Sequence, residues 1–205
     1  MVNTSATGGY LVPTVASPPL EGKPLLEFLQ AVVVGISALP GPMVRPRWQA
    51  EPPDIPLAGT AWCAMGINNR ASDTFPYVTH DPAAAAGEGA DKMQRQEQMD
   101  ILCSFYDLGV EGLADRYAAQ LRDGFAIAQN REVLQLAGYS FAYGGDLVTV
   151  PSLLKERWLY RVDYAFSIRR QIDRTYPVLN LESAQGEIIT DTPQPITVDF
   201  EVNDN

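Results

Sequence analysis

Residues 157–176 read RWLYRVDYAFSIRRQIDRTY, and this stretch decides the fold. From Trp158 to Ile168 every second residue is aromatic or aliphatic, while the residues between them include Arg161 and Asp163. A period of two in a segment rich in aromatic and β-branched residues predicts a β-strand. A strand of about fifteen residues extends about 50 Å at roughly 3.3 Å each, which exceeds the usual length. We therefore expect its arginine-rich end to outrun the sheet of a small domain and to be available to another molecule.

A second long strand is predicted over residues 93–106. One face of it is apolar and the other polar (Met99, Ile101, Cys103 and Phe105 against Gln94, Gln96, Gln98 and Asp100). Its early half is polar on both faces, so we expect this strand also to extend beyond the core. Shorter strands are predicted at 44–48, where proline is tolerated on an edge, and at 60–67.

Three segments have the residue pattern of helices. Residues 20–39 carry a wide apolar stripe that stops at a Pro-Gly-Pro sequence. A second helix is predicted to open at Gly109, and a short one covers 130–137 with Asn130 as its N-cap. Residues 139–150 are predicted as strand, tight turn and strand. This order predicts an α+β fold, a mixed, mostly antiparallel sheet with two main helices packed on one side.

The chain is predicted to have an extended arm (1–19), an α+β domain (20–182) and a C-terminal extension (183–205) with a turn at 183–186. The arm is polar and punctuated by proline, so it cannot bury enough apolar surface to hold itself. Tyr10, Leu11 and Val12 nevertheless give it apolar contacts. Two interpretations stay open, a disordered tail and an arm that orders against a neighbouring subunit.

Residues 68–91 are interpreted as a loop or an irregular hairpin tip. Residues 75–78 form a possible piece of strand within it. The later part, 82–89, consists mostly of alanine and glycine and offers almost no side-chain chemistry. The sequence therefore leaves the role of this loop open.

The composition argues against two classes of partner. Of the 205 residues, 15 are Lys or Arg and 25 are Asp or Glu, which gives a formal charge of −10. Phosphate contacts need a basic surface, so specific nucleic-acid binding is not expected. The longest apolar run near the N-terminus, 31–34, is too short to span a bilayer, so no membrane contact is expected.

The residues that could carry catalysis are sparse. His80 is the single histidine and has no nucleophile motif beside it. The sequence lacks Gly-rich phosphate motifs and any spaced Cys/His cluster. Cys63 and Cys103 lie in apolar contexts and are predicted to be buried free thiols, since a structural zinc site needs four ligands. Asp163 most simply pairs with a cation across strands. We predict no catalytic residue, no cofactor and no metal.

Arg169, Arg170 and Arg174 form the one basic cluster, with Tyr176 beside it. Three interpretations stay open. The cluster is a solvated strand edge that discourages aggregation, a docking site for an acidic protein, or a contact with nucleic acid, which the overall charge opposes. Together with the three apolar residues of the arm, these four residues make up the predicted interface.

Three blocks of sequence resemble the tailed-phage neck or tail terminator family of contractile-tailed bacteriophages. They are NTSATGGYL at 3–11, QNREVLQLAG at 129–138 and YPVLNLESAQG at 176–186. Because the blocks lie at the start, middle and end, the resemblance covers nearly the whole chain. They carry no catalytic chemistry, so the resemblance implies an architectural role and not an active site.

The resemblance implies a structural protein of the virion neck, assembled in the host cytoplasm. It implies a subunit of a sixfold ring that caps the tail tube, stops its polymerisation and joins the tail to head-completion or connector proteins. The sheath is a further candidate partner, and DNA would cross the channel without specific binding. Alternative functions are a head–tail connector, head-completion or collar subunit, a polymerising tube protein, and a small hydrolase or carbohydrate-binding module.

Overall fold

The computed structural model describes residues 3–14, 19–49, 54–56, 59–108, 112–150, 152–154, 157–181, 183–189 and 197–203. The helices are α1 (Gly22–Ser37), α2 (Leu113–Gly124) and α3 (Ala128–Leu136). The strands are β1 (Val44–Pro46), β2 (Trp62–Ser72), β3 (Tyr77–Asp81), β4 (Ala90–Asp107), β5 (Tyr139–Thr149), β6 (Ser152–Leu154), β7 (Arg157–Tyr176), β8 (Ser183–Ile189) and β9 (Thr197–Asn203).

The main sheet has the strand order β1-β2-β4-β7-β5, with β3 also paired to β4 and β6 to β7. Strands β8 and β9 form a separate two-stranded sheet. The β1–β2 pair is parallel, while β2–β4, β5–β7, β6–β7 and β8–β9 are antiparallel. The predicted α+β class and the mixed, mostly antiparallel sheet are confirmed. The sheet is open, and β1 and β5 stand at the two ends of this order.

The strand predicted over residues 157–176 is β7 and has those bounds. Side chains bridge it to β4 in descending order, with Ser104 bonded to Asp163, Asp100 to Ser167 and Gln98 to Arg169. That order makes the two strands antiparallel neighbours. The apolar alternation of β7 follows from its place inside the sheet, where one face must be covered.

The hydrophobic core lies between that face and the helices. It contains Leu25 and Leu29 from α1 together with alternate residues of the long strands (Met99, Ile101, Cys103 and Phe105 from β4; Val162, Tyr164, Phe166 and Ile168 from β7). The ring of Phe125, just after α2, lies 4.7 Å from that of Phe166, centroid to centroid. Each such side chain contributes roughly 1.5–3 kcal/mol by leaving water. The predicted buried thiols are confirmed, since Cys63 and Cys103 are free and buried.

The chain divides into two compact units, each assembled from segments that are not contiguous. The larger unit consists of 17–76 and 94–172, and every residue of the core cluster belongs to it. The smaller unit consists of 1–16, 77–93 and 173–205. The smaller unit thus combines the predicted arm and the predicted extension with a central hairpin, a grouping that a reading along the chain does not produce.

The predicted turn inside 139–150 is wrong, because β5 is one strand with bulges. Gly144 lies opposite Phe166 and Leu147 opposite Tyr164, so β5 has one more residue than β7 across this interval. A Cβ added to Gly144 would lie 2.5 Å from the hydroxyl oxygen of Tyr164. The glycine is therefore needed for close approach to β7 and does not mark a hairpin.

Other boundaries also differ from the sequence-based prediction. Strand β2 continues to Ser72, and the loop predicted over 68–91 contains β3. The predicted turn at 183–186 is wrong, because these residues belong to β8 and pair with β9. The two main helices and the short third helix that were predicted all form, with shifted ends. Helix α2 begins at Leu113, and the predicted start at Gly109 lies outside the described residues.

The prediction that Asn130 caps α3 is also wrong. Helix α3 begins two residues earlier, at Ala128, with Ile127 in the N-cap position. The side-chain amide of Asn130 donates instead to the carbonyl oxygen of Gly124 at 2.9 Å, at the end of α2. The carbonyl of Gly124 also accepts from the backbone amide of Ile127 at 3.2 Å, so the asparagine adds a second hydrogen bond at the C-terminus of the preceding helix.

Candidate interaction surface

The described part of the arm is ordered against its own chain. The amide of Ser5 donates to the carbonyl of Pro177 at 3.1 Å, and that of Thr14 donates to the carbonyl of Thr175 at 2.8 Å. Both acceptors lie in the smaller unit, at the end of β7 and just after it. Neither sequence-based interpretation, a disordered tail or an arm on a neighbouring subunit, includes this intramolecular arrangement.

The apolar residues of the arm remain largely accessible to solvent. The side chain of Tyr10 is 94 % exposed, and Val12 is also exposed. Leu11 is half-buried. The backbone bonds therefore hold the arm in place while the side chains of Tyr10 and Val12 stay exposed.

The predicted arginine cluster separates into different environments. Arg169 is exposed and its Nε donates to Gln98 Oε1 at 3.0 Å. Arg174 and Tyr176 are half-buried and belong to the smaller unit. Arg170 is buried in the larger unit. The period of two explains this difference, because Arg169 and Arg170 occupy opposite faces of β7.

Arg170 connects β7 to the start of α1 and to β4. Its Nε donates to Glu97 Oε2 at 2.7 Å, while its terminal nitrogens donate to the carbonyl of Leu20 at 2.7 Å and to Glu21 Oε1 at 2.6 Å. Burial raises the pKa of Glu21, but hydrogen bonds from Arg70 and Arg170 outweigh that effect and lower it. The guanidinium that we predicted for a partner is occupied within its own chain.

The smaller unit has an unusual balance of burial and exposure. Among its residues with described burial, Ala90 is the one buried apolar side chain. Tyr77 and Leu181, by contrast, are 65 % and 72 % exposed. Apolar burial is the dominant favourable contribution to folding, so the described part of this unit gains little from it.

The charge is also concentrated in the smaller unit. Its three segments contain two Lys or Arg and ten Asp or Glu, a net charge of −8, whereas the larger unit has 13 against 15, a net charge of −2. The smaller unit therefore carries most of the net negative charge of the chain.

A hydrogen-bonded cluster organises the loop whose role the sequence left open. His80 Nδ1 lies 2.8 Å from Asp91 Oδ1, and His80 Nε2 lies 2.8 Å from Asn180 Oδ1. Lys92 Nζ lies 2.5 Å from Asp81 Oδ2. The hydrogen bond with Asn180 raises the pKa of His80, as does the carboxylate of Asp91. Sequence analysis missed Asp91 and Asn180, because no local pattern links them to His80.

Among the described residues, the groups that could have supported catalysis are hydrogen-bonded or buried. Both ring nitrogens of His80 face oxygens of the cluster. Burial raises the pKa of the Cys63 thiol well above its ordinary value, so the thiolate is disfavoured. No group of three His, Cys, Asp or Glu residues within the described ranges could hold a metal ion. In the same ranges, no helix combines the length and apolar character needed to cross a membrane.

Asp163 belongs to a polar network on the side of β7 opposite the core. Its two oxygens accept from Arg161 Nε at 2.7 Å and Arg161 Nη2 at 2.5 Å. Ser104 of β4 also donates to Asp163 and accepts from Arg47. The predicted cation partner is present, but it comes from the same strand, two residues earlier, where both side chains share a face.

Comparison with known families gives the decisive observation. The family model for phage neck terminator proteins matches residues 23–192, which is most of the chain. The chain belongs to the phage neck terminator protein family. A neck terminator is a structural component of the virion, located in its tail and neck, and it associates with other tail and head proteins. The resemblance to the neck terminator family is thereby confirmed, and the matched range includes the second and third sequence blocks. A search of curated proteins finds no significant match.

Proposed function

We propose that this neck terminator is a ring-forming subunit that caps the tail tube, stops its polymerisation and joins the tail to head-completion proteins. The family match over residues 23–192 carries the proposal. The ring would be sixfold, in a contractile tail assembled in the host cytoplasm, with the sheath as a further candidate neighbour. The protein would act as a structural part and not as an enzyme.

The open sheet supports ring formation. A closed ring of identical subunits needs two different, complementary surfaces on each copy. The sheet offers two different edges, the short β1 and the longer β5, and no strand pairs with the outer side of β5 among the described residues. An unpaired edge can accept a strand from a neighbouring chain. Pairing of unlike edges is one way in which the ring could close.

The smaller unit supports a role in partner docking. It exposes Tyr10, Val12, Tyr77 and Leu181 and carries most of the net negative charge. We propose that these residues, with Leu11, Arg174 and Tyr176, contact tube or head proteins. Arg169 stays a candidate for contacts made by the larger unit. Arg170 leaves the proposed interface because it is buried in a network of its own chain.

The overall charge supports a channel that DNA crosses without sticking. Six copies of a chain of charge −10 would carry about −60. A wall of that charge repels phosphate, so the duplex would pass without specific contacts.

Removal of the gene from the phage tests the proposal. Negative-stain images should show tail tubes of uncontrolled length that do not join heads, and the purified protein should form rings, alone or with tube protein. Tails of normal length together with unjoined heads would instead favour the alternative, a head–tail connector, head-completion or collar subunit. Polymers of the purified protein would favour a tube protein.

The surface itself can be tested with a matched pair of variants. Tyr10→Ser combined with Tyr77→Ser should reduce incorporation of the protein into virions, while its melting temperature stays unchanged. Leu136→Ser is the control, because Leu136 is an exposed apolar residue on α3 of the larger unit. Equal losses for both variants would contradict the assignment of docking to the smaller unit.

A further inference from the structure

The cluster around His80 has an arrangement of donors and acceptors that depends on one proton. His80 is on β3, Asp91 is on β4, and Asn180 lies after β7 in the same unit. The His80 side chain is 41 % exposed, so solvent protons can reach it. Its ring connects the β3–β4 hairpin to residues 177–181, which continue into β8.

The orientation of the Asn180 side chain follows from its other hydrogen bonds. Its Nδ2 donates to the carbonyl of Pro82 at 3.1 Å and to that of Gly87 at 2.9 Å. A flipped amide would place Oδ1 against two carbonyl oxygens and lose both bonds. The oxygen must therefore face His80. The position of Gly89 fits this packing, because a Cβ there would lie 2.4 Å from Asn180 Oδ1.

We propose that His80 forms a protonation-dependent hydrogen-bonded contact that holds residues 177–181 against the loop between β3 and β4. Both ring nitrogens face acceptors, a carboxylate oxygen at Nδ1 and an amide oxygen at Nε2. Only the imidazolium form has a hydrogen on both nitrogens. The geometry is fully satisfied when His80 carries a positive charge, and this device does not depend on the proposed neck function.

Loss of the proton breaks one particular contact. A neutral imidazole keeps one N–H, and the negative charge of Asp91 favours keeping it at Nδ1. The lone pair of Nε2 then faces the oxygen of Asn180, and that hydrogen bond is lost. Asn180 retains its other hydrogen bonds to the loop, including the bond from its backbone amide to the carbonyl of Glu88 at 2.8 Å. The segment is therefore loosened, and it is not released completely.

The charged groups around His80 favour the protonated form. Asp91 and Asp81 are acidic, and Lys92, which pairs with Asp81, offsets part of their charge. Glu88 lies in the adjoining loop and is exposed. The pKa of His80 is raised from its ordinary value of 6.5. The stabilisation from this contact is therefore fully present below pH 6.5 and is lost as the pH rises through the raised pKa of His80.

His80 is the single histidine of the chain, so its titration can be read in the intact protein without ambiguity. Proton and nitrogen NMR should give a pKa above 6.5, and above that pKa the neutral ring should carry its hydrogen on Nδ1. Asn180→Ala should lower the pKa, whereas Glu88→Gln, the nearby control, should change it less. A wild-type pKa at or below 6.5, or a hydrogen on Nε2, would overturn the proposal.

Amide exchange supplies a readout of the segment itself. The protection factor of the Asn180 backbone amide should fall about threefold as the pH rises through the pKa of His80. A loss of this size suits an exposed charge-assisted hydrogen bond. His80→Ala should show lower protection that no longer depends on pH in this range. Protection that is equally pH-dependent in His80→Ala would show that another group controls the segment and would refute the role of His80.

Discussion

Arg170 Nε donates to Glu97 Oε2 at 2.7 Å, and their side chains are only 2 % and 12 % exposed. The pair joins the two longest strands, β7 and β4, inside the larger unit. Because both charged groups are largely removed from water, each depends on the other for compensation. An arginine that looked available for assembly therefore has a structural task.

Replacement of Arg170 by Met should destabilise the protein by about 3–5 kcal/mol, because it leaves the buried carboxylate of Glu97 without its cation. Urea unfolding at pH 7 measures the loss. Arg169→Met is the matched control and should cost less than about 1 kcal/mol, since that arginine is exposed. Similar losses for the two variants would argue against the buried pair.

Replacement of Ser167 by Ala should remove a hydrogen bond whose contribution to stability is lost at acidic pH. Ser167 Oγ donates to Asp100 Oδ1 at 2.6 Å, and this bond lowers the pKa of Asp100 below its ordinary value of 3.8. The bond to the carboxylate therefore stabilises the fold above about pH 4 and is lost as pH falls through the lowered pKa.

Ser167→Ala should accordingly cost about 1–2 kcal/mol at pH 7 and clearly less at an acidic pH that lies below the lowered pKa of Asp100. Urea unfolding at both pH values provides the comparison. Ser140→Ala, at an exposed position of β5, is the control and should have little effect at either pH. An equal cost for Ser167→Ala at both pH values would rule out the ionised carboxylate as its cause.

Two glycines in neighbouring helices should respond oppositely to alanine. A Cβ at Gly124, at the end of α2, would lie 2.2 Å from Ile36 Cγ2 of α1, so Gly124→Ala should destabilise by about 1–3 kcal/mol. A Cβ at Gly35 within α1 meets no atom within 4 Å, and Gly35→Ala should stabilise by about 0.5–1 kcal/mol. Thermal unfolding distinguishes these signs.

The clash at Gly124 can be relieved from the other side. In the Gly124→Ala background, a further Ile36→Ala change should cost less than the same change in the wild-type protein, so the two effects should not add. Strict additivity would mean that the two residues do not meet.

Deletion of residues 1–14 should leave the larger unit folded and weaken assembly. No described residue of the arm belongs to the core cluster, and backbone bonds of the arm go to Thr175 and Pro177 of the smaller unit. The deletion stops before Leu20, because the carbonyl of that residue accepts from Arg170. Circular dichroism reports the fold and light scattering with tube protein reports assembly. An unchanged oligomer would remove the arm from the interface.

The amino-acid sequence by itself determined the long strands, the first helix and the α+β class. A strand or helix repeats its contacts every two or 3.6 residues, so a burial pattern is written locally in β4, β7 and α1. The three unusual blocks also indicated the family. The pair Gly144-Gly145 could not be assigned from the sequence, because two adjacent glycines suit both a turn and a bulge. Only the pairing with β7 decides between them.

Only the tertiary structure decided what Arg170 and His80 do. Glu97 lies 73 residues from Arg170 and Asn180 lies 100 residues from His80, so no periodicity connects these partners. It also joined the arm, the central hairpin and the C-terminal segment into one unit. Hydrogen bonds and ion pairs depend on atoms that meet within about 3 Å, and the order of strands in the sheet, not their order in the chain, sets which atoms meet.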